Sequence, residues 1–569
     1  MRAAVGLSLI TALLLLGARS GPTIALHEAP VSLETAALIG LCYYLSQSAW
    51  LAGLAYWTLY RPLVAGLLVG AFLGDPLTGA SVGAVVQIAF LGFLGTGGAL
   101  PADMALVGYG ATTIALATGL GAAASLALSM PLGLLGYGLY RLRLRWSNAL
   151  ARRAARHARR GDVEGIMRCN VLLPQSLLVL VAWAPGVAVA YLAPGAARAA
   201  LGGAPGWLYA WLDRTGGLLV ALGAANGLAL VWTRRTAACY LGAAGLMLAA
   251  GTPTLALTVG LVGAAGALVA PWLGQARAAD AGGAAGLGQP SAAPQEATAR
   301  RGSVRARDRV ASFLTWLFFS HSSYSEERLQ GVALAHAMVP VLNRLYTTRA
   351  ELARALTRYV APYNIEPNLG SAMVGVLTHQ EEELARGQAA PSGPEEARAR
   401  LAGPVSGVGD TVIHGAVGTL AGALGVALVT VVGPIGVGVY VTVMAGVVWG
   451  VSVWAYRRGY RGGFSGILDL LRVAGWRRVV VGAECAGAIL FGLLTVGPVA
   501  GLLVGAAMGT VGVWEASALG RALAALPGVA IVMTFLALER WGLRQRWATV
   551  ACYGIGLGMA LVEASLRVG

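Results

Sequence analysis

The sequence predicts an all-α polytopic membrane protein: two pseudo-symmetric helical membrane units with re-entrant segments, plus an amphipathic helical cytosolic subdomain. Three observations carry this expectation. Hydrophobic residues make up 57% of the 569 residues, charged residues only 12%, and mean hydropathy is +0.69. A soluble chain of that length carries about twice that charge. Apolar segments, each near the ~20 residues that cross a bilayer, follow one another from Leu38 to Trp272 and resume after Val405. The 81 glycines fall largely inside these runs, as in Gly108-Tyr109-Gly110, where small residues let membrane helices approach closely.

The net charge of +16 is carried by arginine, with no lysine in the chain. A nucleic-acid partner is not expected, because the arginines gather between apolar runs, as membrane orientation requires. The longest such break runs from Arg141 to Arg168 and includes Arg152, Arg153, Arg156, Arg159 and Arg160. It reads as a cytosolic loop or a basic surface helix resting on anionic headgroups of the lipid bilayer. Cys42, Cys169, Cys239, Cys485 and Cys552 show no CxxC spacing, so neither a disulfide framework nor a metal site is expected, and no cofactor.

In chain order, residues 1–35 read as an N-terminal extension: a signal-like segment, an extra helix or a mis-set start. Residues 36–274 form the first membrane unit. Residues 275–305, with Gln289-Pro290-Ser291-Ala292-Ala293-Pro294, are small and polar and are expected to be a flexible linker. In residues 306–400, Leu329, Val332, Leu334, Met338, Leu342 and Leu345 recur at roughly helical spacing, predicting amphipathic helices. Residues 401–569 return to spanning runs, near 411–432, 434–455, 479–497, 498–518, 523–540 and 547–565.

Local motifs sharpen the reading. Arg61-Pro62-Leu63-Val64, then Leu68 to Pro76, Gly83-Ala84-Val85-Val86-Gln87 and Pro101-Ala102-Asp103 resemble the IIC subunit of the mannose/fructose/sorbose family of the sugar phosphotransferase system. Glu327-Arg328-Leu329-Gln330, Ala337-Met338-Val339-Pro340, Tyr363-Asn364-Ile365-Glu366-Pro367 and Gly403-Pro404-Val405-Ser406-Gly407-Val408-Gly409-Asp410 resemble its IID subunit. The chain therefore looks like a IIC–IID fusion. The resemblance implies a sugar-conducting membrane component of a bacterial inner membrane. It implies soluble IIA and IIB partners, a phosphohistidine on IIB rather than in this chain, and a homo-oligomer, a trimer by family likeness. Departures stand at Ala55 to Tyr60, before the Arg-Pro-Leu motif. They recur at Gln87, where the family has glutamate, and at His414, where it has an aromatic residue.

Sugar hydroxyls need side chains that donate and accept several hydrogen bonds, and polar groups at membrane depth are costly enough to suggest function. Five candidates follow. Gln87 lies in an apolar run and binds either sugar or a neighbouring helix. Asp103 follows a glycine-rich break and either lines a re-entrant segment or caps a helix. Asn364 reads alone as a turn residue; the IID resemblance makes it the leading candidate. Glu381, beside Glu382 and Glu383, reads as a solvated face or a site residue. Asp410 caps a spanning helix or belongs to a glycine loop facing substrate. Asn364 and Gln87 are expected to meet across the two halves on one hexose-like sugar. The competing reading is a diverged scaffold or sensor that keeps the fold without transport; an ion-driven carrier is a third.

Overall fold

The computed structural model describes residues 29–92, 102–250, 304–388, 393–472, 475–502, 518–542 and 544–566, with a few isolated positions. The signal-like segment and nearly all of the expected linker lie outside the described residues. Within them the chain is helical, and its β pairing is limited to the isolated bridges Ser325–Leu329 and Leu329–Tyr363.

The first half opens with α1 (Leu33–Gln47), started by Ser32, whose hydroxyl accepts from the Thr35 amide. Next come α2 (Pro62–Leu73), α3 (Pro76–Ala89) and α4 (Met104–Thr118). At 12, 14 and 15 residues these three are too short to cross a ~30 Å hydrocarbon layer at 1.5 Å per residue. They fit the expected re-entrant segments rather than a series of full spans. Helices α2 and α3 form a tight hairpin turning at Gly74, whose φ of +86° suits glycine. A Cβ on Gly66 would lie 2.4 Å from the Gly79 carbonyl oxygen, and one on Gly79 would lie 2.5 Å from that of Gly66. The glycines of this hairpin are packing positions.

Two long helices follow: α5 (Ala122–Arg159) and α6, continuous over Val163–Leu201 with π-type turns at Arg168–Leu172 and Val179–Trp183. The expected loop from Arg141 to Arg168 is instead the helical end of α5, a tight turn and the start of α6. It does not rest on headgroups with its whole surface. Ala151, Ala154, Ala155 and Ala158 are buried, and they join the core of the 304–405 region. Alanine at this spacing makes one flat face of α5, and the arginines point away from it. The first half closes with α7 (Gly206–Val231) and α8 (Arg234–Ala250).

In the second half, α9 (Ala306–Phe319), α10 (Gly331–Leu345), α11 (Arg349–Tyr359) and α12 (Pro367–Ala385) form the amphipathic part. Val332, Leu334, Met338, Leu342 and Leu345 are buried on α10 as the spacing predicts. Leu329 is the exception: it precedes the helix, with a strained φ of +53°, in the bridged segment. The expected boundary at residue 400 falls inside one continuous helix, α13 (Gly393–Val432). Its middle, Asp410–Gly418, is π-type, so Gly407 to Asp410 are not a loop. Then come α14 (Ile435–Arg472, broken at Gly463), α15 (Gly475–Leu494, extended by a π-type turn to Val499), α16 (Ala518–Arg540) and α17 (Gln545–Leu566). The expected span 498–518 lies mostly outside the described residues.

Seven helices among the described residues are long and apolar enough to cross a membrane: three from the first half and four from the second. The protein is a multi-pass membrane protein. Its hydrophobic side chains form two cores. The larger joins the apolar helices of both halves; the smaller joins the end of α5 to α10–α12 and part of α14.

A polar cavity between the two halves

The cavity forms where the two cores meet. It has a volume of about 210 Å³, and Trp57 and Tyr60 from the larger core face Ile365 from the smaller. Its polar lining comes from five places: Gln47 at the end of α1, the segment before α2, Arg143 on α5, the turn after α9, and the Asn364–Asn368 segment with the π-type turn of α13.

The aromatic wall belongs to the segment between α1 and α2. Tyr56 and Tyr60 stack with centroids 5.4 Å apart, and Trp57 packs 4.8 Å from the His414 ring. Arg61 lies behind, its guanidinium 4.8 Å from the Tyr56 ring centre and 5.0 Å from that of Trp57, a cation–π arrangement. Other elements hold the segment by its backbone. Tyr440 donates to the Trp57 carbonyl at 2.6 Å, Trp449 to that of Ala52 at 3.1 Å and Tyr109 to that of Leu59 at 3.1 Å. Two of these donors lie on α14, so the second half shapes the first half's wall.

The opposite wall starts at α12. Glu366 is its N-cap: its carboxylate accepts from the Asn368 amide at 3.0 Å, the Leu369 amide at 2.7 Å and the Asn368 side chain at 2.8 Å. Pro367 follows at the first helical position, where its missing N–H costs nothing. Burial pushes the Glu366 carboxyl up to about 7, and the Asp410 carboxylate adds to the rise. The hydrogen bonds from Asn368 and Leu369 pull the other way without cancelling it. Burial also lowers the His321 imidazole to about 4, with Arg143 adding to the effect, so His321 is neutral near pH 7.

The turn after α9 is fastened to the first half. Ser323 donates to Asn170 at 2.6 Å, Gln175 to Ser322 at 3.1 Å, and Arg143 to the carbonyls of His321 and Ser322 at 3.4 and 3.2 Å. Farther out, Arg141 pairs with Glu326 at 2.8 Å, Arg152 pairs with Glu327, and Arg349 donates to the Arg160 carbonyl at 2.7 Å. Exposed pairs such as these contribute little each; the buried Asn170–Ser323 contact and the alanine face fix the register.

The expected site residues separate into three groups. Asn364 and Asp410 line the cavity. Asp410 does so from a π-type turn, a feature frequent at functional positions, not from a glycine loop or a helix cap. Asp103 is buried one layer behind. It caps α4 through the Leu106 amide at 3.0 Å and accepts from Tyr43 at 2.7 Å and from Gln47 at 3.1 Å. It therefore orients Gln47, which does line the cavity, and is not itself in the lining. The glycine-rich break before it lies outside the described residues.

Two expectations are corrected. Gln87 does not reach the Asn364 cavity. It lines a neighbouring void of about 10 Å³, at the lower limit for one water molecule. Tyr56 and His414 stand in the walls of both spaces. The Gln87 Oε1 has no hydrogen-bond partner among the described residues. Glu381 is neither on a solvated face nor at the cavity. It is fully buried, accepting from Tyr346 at 2.6 Å and Tyr359 at 2.5 Å and facing Arg358 at 3.6 Å. Burial was hidden in the sequence because the glutamate run looks solvated. Glu366, Asn368, Gln47 and His321 also line the cavity and are not among the residues the sequence singles out as candidates. Only Glu366 carried a signal, standing two residues after Asn364 and directly before a proline.

A multi-pass helical protein with an aromatic-walled, amide- and carboxylate-lined cavity between two halves has the makings of a carrier for a small polar solute. Comparison with known proteins agrees. The family model described as "PTS system sorbose-specific iic component" matches residues 33–269, and that of the "PTS system mannose/fructose/sorbose family IID component" matches residues 303–518. The N-acetylgalactosamine permease IIC component 1 of Escherichia coli is 30% identical over 34% of this chain and 72% of its own length. The sorbose-specific EIID component of Klebsiella pneumoniae is 26% identical over 30% of this chain and 63% of its own. The fructose permease IID component of Bacillus subtilis is 28% identical over 31% and 64%. A solved structure of the mannose transporter ManYZ with microcin E492 covers 45% of this chain and 95% of its own at 21% identity, with a TM-score of 0.26. The chain belongs to the mannose-family phosphotransferase system and carries its IIC and IID membrane components in one polypeptide.

Proposed function

We propose that this chain binds a hexose-like sugar in the cavity between its halves and carries it across a bacterial inner membrane. A separate IIB subunit, charged by IIA, would phosphorylate it on the cytosolic side. The observation supporting this most is the lining itself. Gln47, Asn364 and Asn368 supply amides, Glu366 and Asp410 supply carboxylates, and Tyr56, Trp57 and Tyr60 form an aromatic wall. A pyranose presents hydroxyls at its rim and C–H bonds on its faces, so it needs both kinds of surface. In this reading Asn364 and Asp410 touch the sugar, Asp103 positions Gln47, and Gln87 and Glu381 are structural. The relatives' permease names and the arginine-rich helix ends, which favour the cytosolic side, are consistent with it. Assembly into a homo-trimer is part of the proposal by family likeness.

The test is uptake of labelled hexoses by cells lacking other hexose carriers, with and without a supplied IIA/IIB pair. It is joined to a hexose-binding titration on the purified chain. Uptake that needs the pair, with binding weakened by Asn364→Ala, is the expected result. Absence of binding across a hexose panel would favour the non-transporting scaffold.

A further inference from the structure

One outward face of α14 changes character along its length. Ile435, Val439 and Val443 are exposed and apolar; Trp449 and Trp454 follow, 47% and 43% exposed; Arg457, Arg458 and Arg461 complete it. At about 100° per residue these positions fall within one half of the helix circumference, so they share its outward side. From Ile435 to Arg457 a helix rises ~33 Å, close to the ~30 Å of a hydrocarbon layer. With Ile435 at one boundary of the bilayer, Trp454 and the arginines stand at the other, and Trp449 lies about two turns inside it. Tryptophan and arginine are the residues that sit at headgroup level.

The face is concave there. An open groove of about 900 Å³ runs between Trp449, Trp454 and the arginines. Gly450 and Gly462 line it without side chains, and a Cβ on either would meet nothing within 4 Å. The acidic side chains nearest on α12 are already engaged. Glu382 accepts from the Val304 amide at 2.9 Å and from Tyr460 at 3.0 Å, and Glu383 faces His379 at 3.2 Å. Among the described residues no carboxylate pairs with Arg457, Arg458 or Arg461 within the 4.0 Å of an ion pair.

We infer that this groove binds an anionic phospholipid, its phosphate held by Arg457, Arg458 and Arg461 and an acyl chain lying over Gly450 between the tryptophans. Charge complementarity selects this occupant. Three guanidinium groups at the headgroup level call for phosphate, and the apolar run below them matches an acyl chain in length. The site is separate from the sugar cavity, and its test involves no sugar.

The experiment is native mass spectrometry of the purified full chain with phosphatidylglycerol or phosphatidylcholine. Preferential retention of phosphatidylglycerol is expected. Each of Arg457→Gln, Arg458→Gln and Arg461→Gln should lower that retention roughly fivefold, from the attraction of one arginine to an anionic surface. Control replacements Arg307→Gln and Arg400→Gln, at side chains 75% and 67% exposed elsewhere, should leave it unchanged. The single variants keep the test valid if the triple variant elutes as aggregate. Equal retention of both lipids, or equal losses in the controls, would overturn the inference. So would displacement of the lipid by excess inorganic phosphate, which would make the site one for a free anion. Disulfide cross-linking of two copies through Gly450→Cys in native membranes would also overturn it, showing that a second chain fills the groove.

Discussion

Helix α12 carries a buried glutamate near each end, and the two do different work. Glu381 lies in a closed cluster: two tyrosine hydroxyls and an arginine surround its carboxylate. Glu366, at the helix start, is held by Asn368 and Leu369 yet still borders open space. Both are carboxylates removed from water, and both are partnered. The lesson is that burial and a charge do not by themselves make a binding site. What separates the two is an unfilled volume beside the carboxylate, together with neighbours such as Asn364 that bring further polar atoms to the same volume. In the closed cluster the Glu381 carboxylate is enclosed by the two hydroxyls and the guanidinium, which stabilises the α10–α12 packing and leaves no open volume beside it.

The sharpest way to break this comparison is Glu381→Ala. Removing one side of a buried ion pair leaves Arg358 uncompensated, and the expected loss of stability is about 3–5 kcal/mol. Chemical unfolding in detergent reads it. Glu366→Gln should cost less, about 1–3 kcal/mol, since one oxygen still accepts while the amide nitrogen meets the N–H donor that the second carboxylate oxygen served. Similar losses for both variants would erase the distinction.

Next in size are the cavity contacts. If both Asn364 and Glu366 touch bound sugar, Asn364→Ala and Glu366→Gln should each weaken hexose binding by roughly 1–3 kcal/mol. The double variant should lose less than the sum, because the two share one ligand. Isothermal titration measures all three; strict additivity with full-sized losses would place them at independent sites.

A pH titration sharpens the role of Glu366. Its carboxyl titrates near 7, raised chiefly by burial. Above that value it is ionised and, if it touches bound sugar, would accept charge-assisted hydrogen bonds from the hydroxyls; below it the proton would occupy an oxygen. Affinity should therefore rise as pH increases through about 7 and level off above, by at most ~tenfold per unit on the acid side. In Glu366→Gln the profile should be flat over the same range. A wild-type profile that falls with rising pH would contradict this assignment.

The smallest effect is expected at Gln87. Its void barely admits one water, so Gln87→Leu should change sugar affinity by less than ~0.5 kcal/mol, as for substitutions away from a shared ligand. A loss matching that of Asn364→Ala would return Gln87 to the sugar site and show that the two spaces merge when the carrier moves.

Much of this was legible in the residues. Composition alone gave the membrane class, because a chain with so few charges cannot cover itself in water. Apolar run length located the long spans, and the spacing of Val332, Leu334, Met338, Leu342 and Leu345 located α10, since helical periodicity is a local property. Asn364 and Asp410 were found by motif, and both line the cavity. Other features depended on distant partners. Whether Glu381 is solvated rests on Tyr346, Tyr359 and Arg358, brought together only when three helices pack. Whether Gln87 meets sugar rests on Tyr56 and His414, which come from opposite halves. The Arg141–Arg168 segment looked like a loop because its arginines are conspicuous; its four alanines form a docking face only once the second half lies against them. Local sequence determines hydropathy, helix period and capping. Which buried polar group faces a partner and which faces open space is decided by packing between segments tens to hundreds of residues apart, and only the tertiary structure settles it.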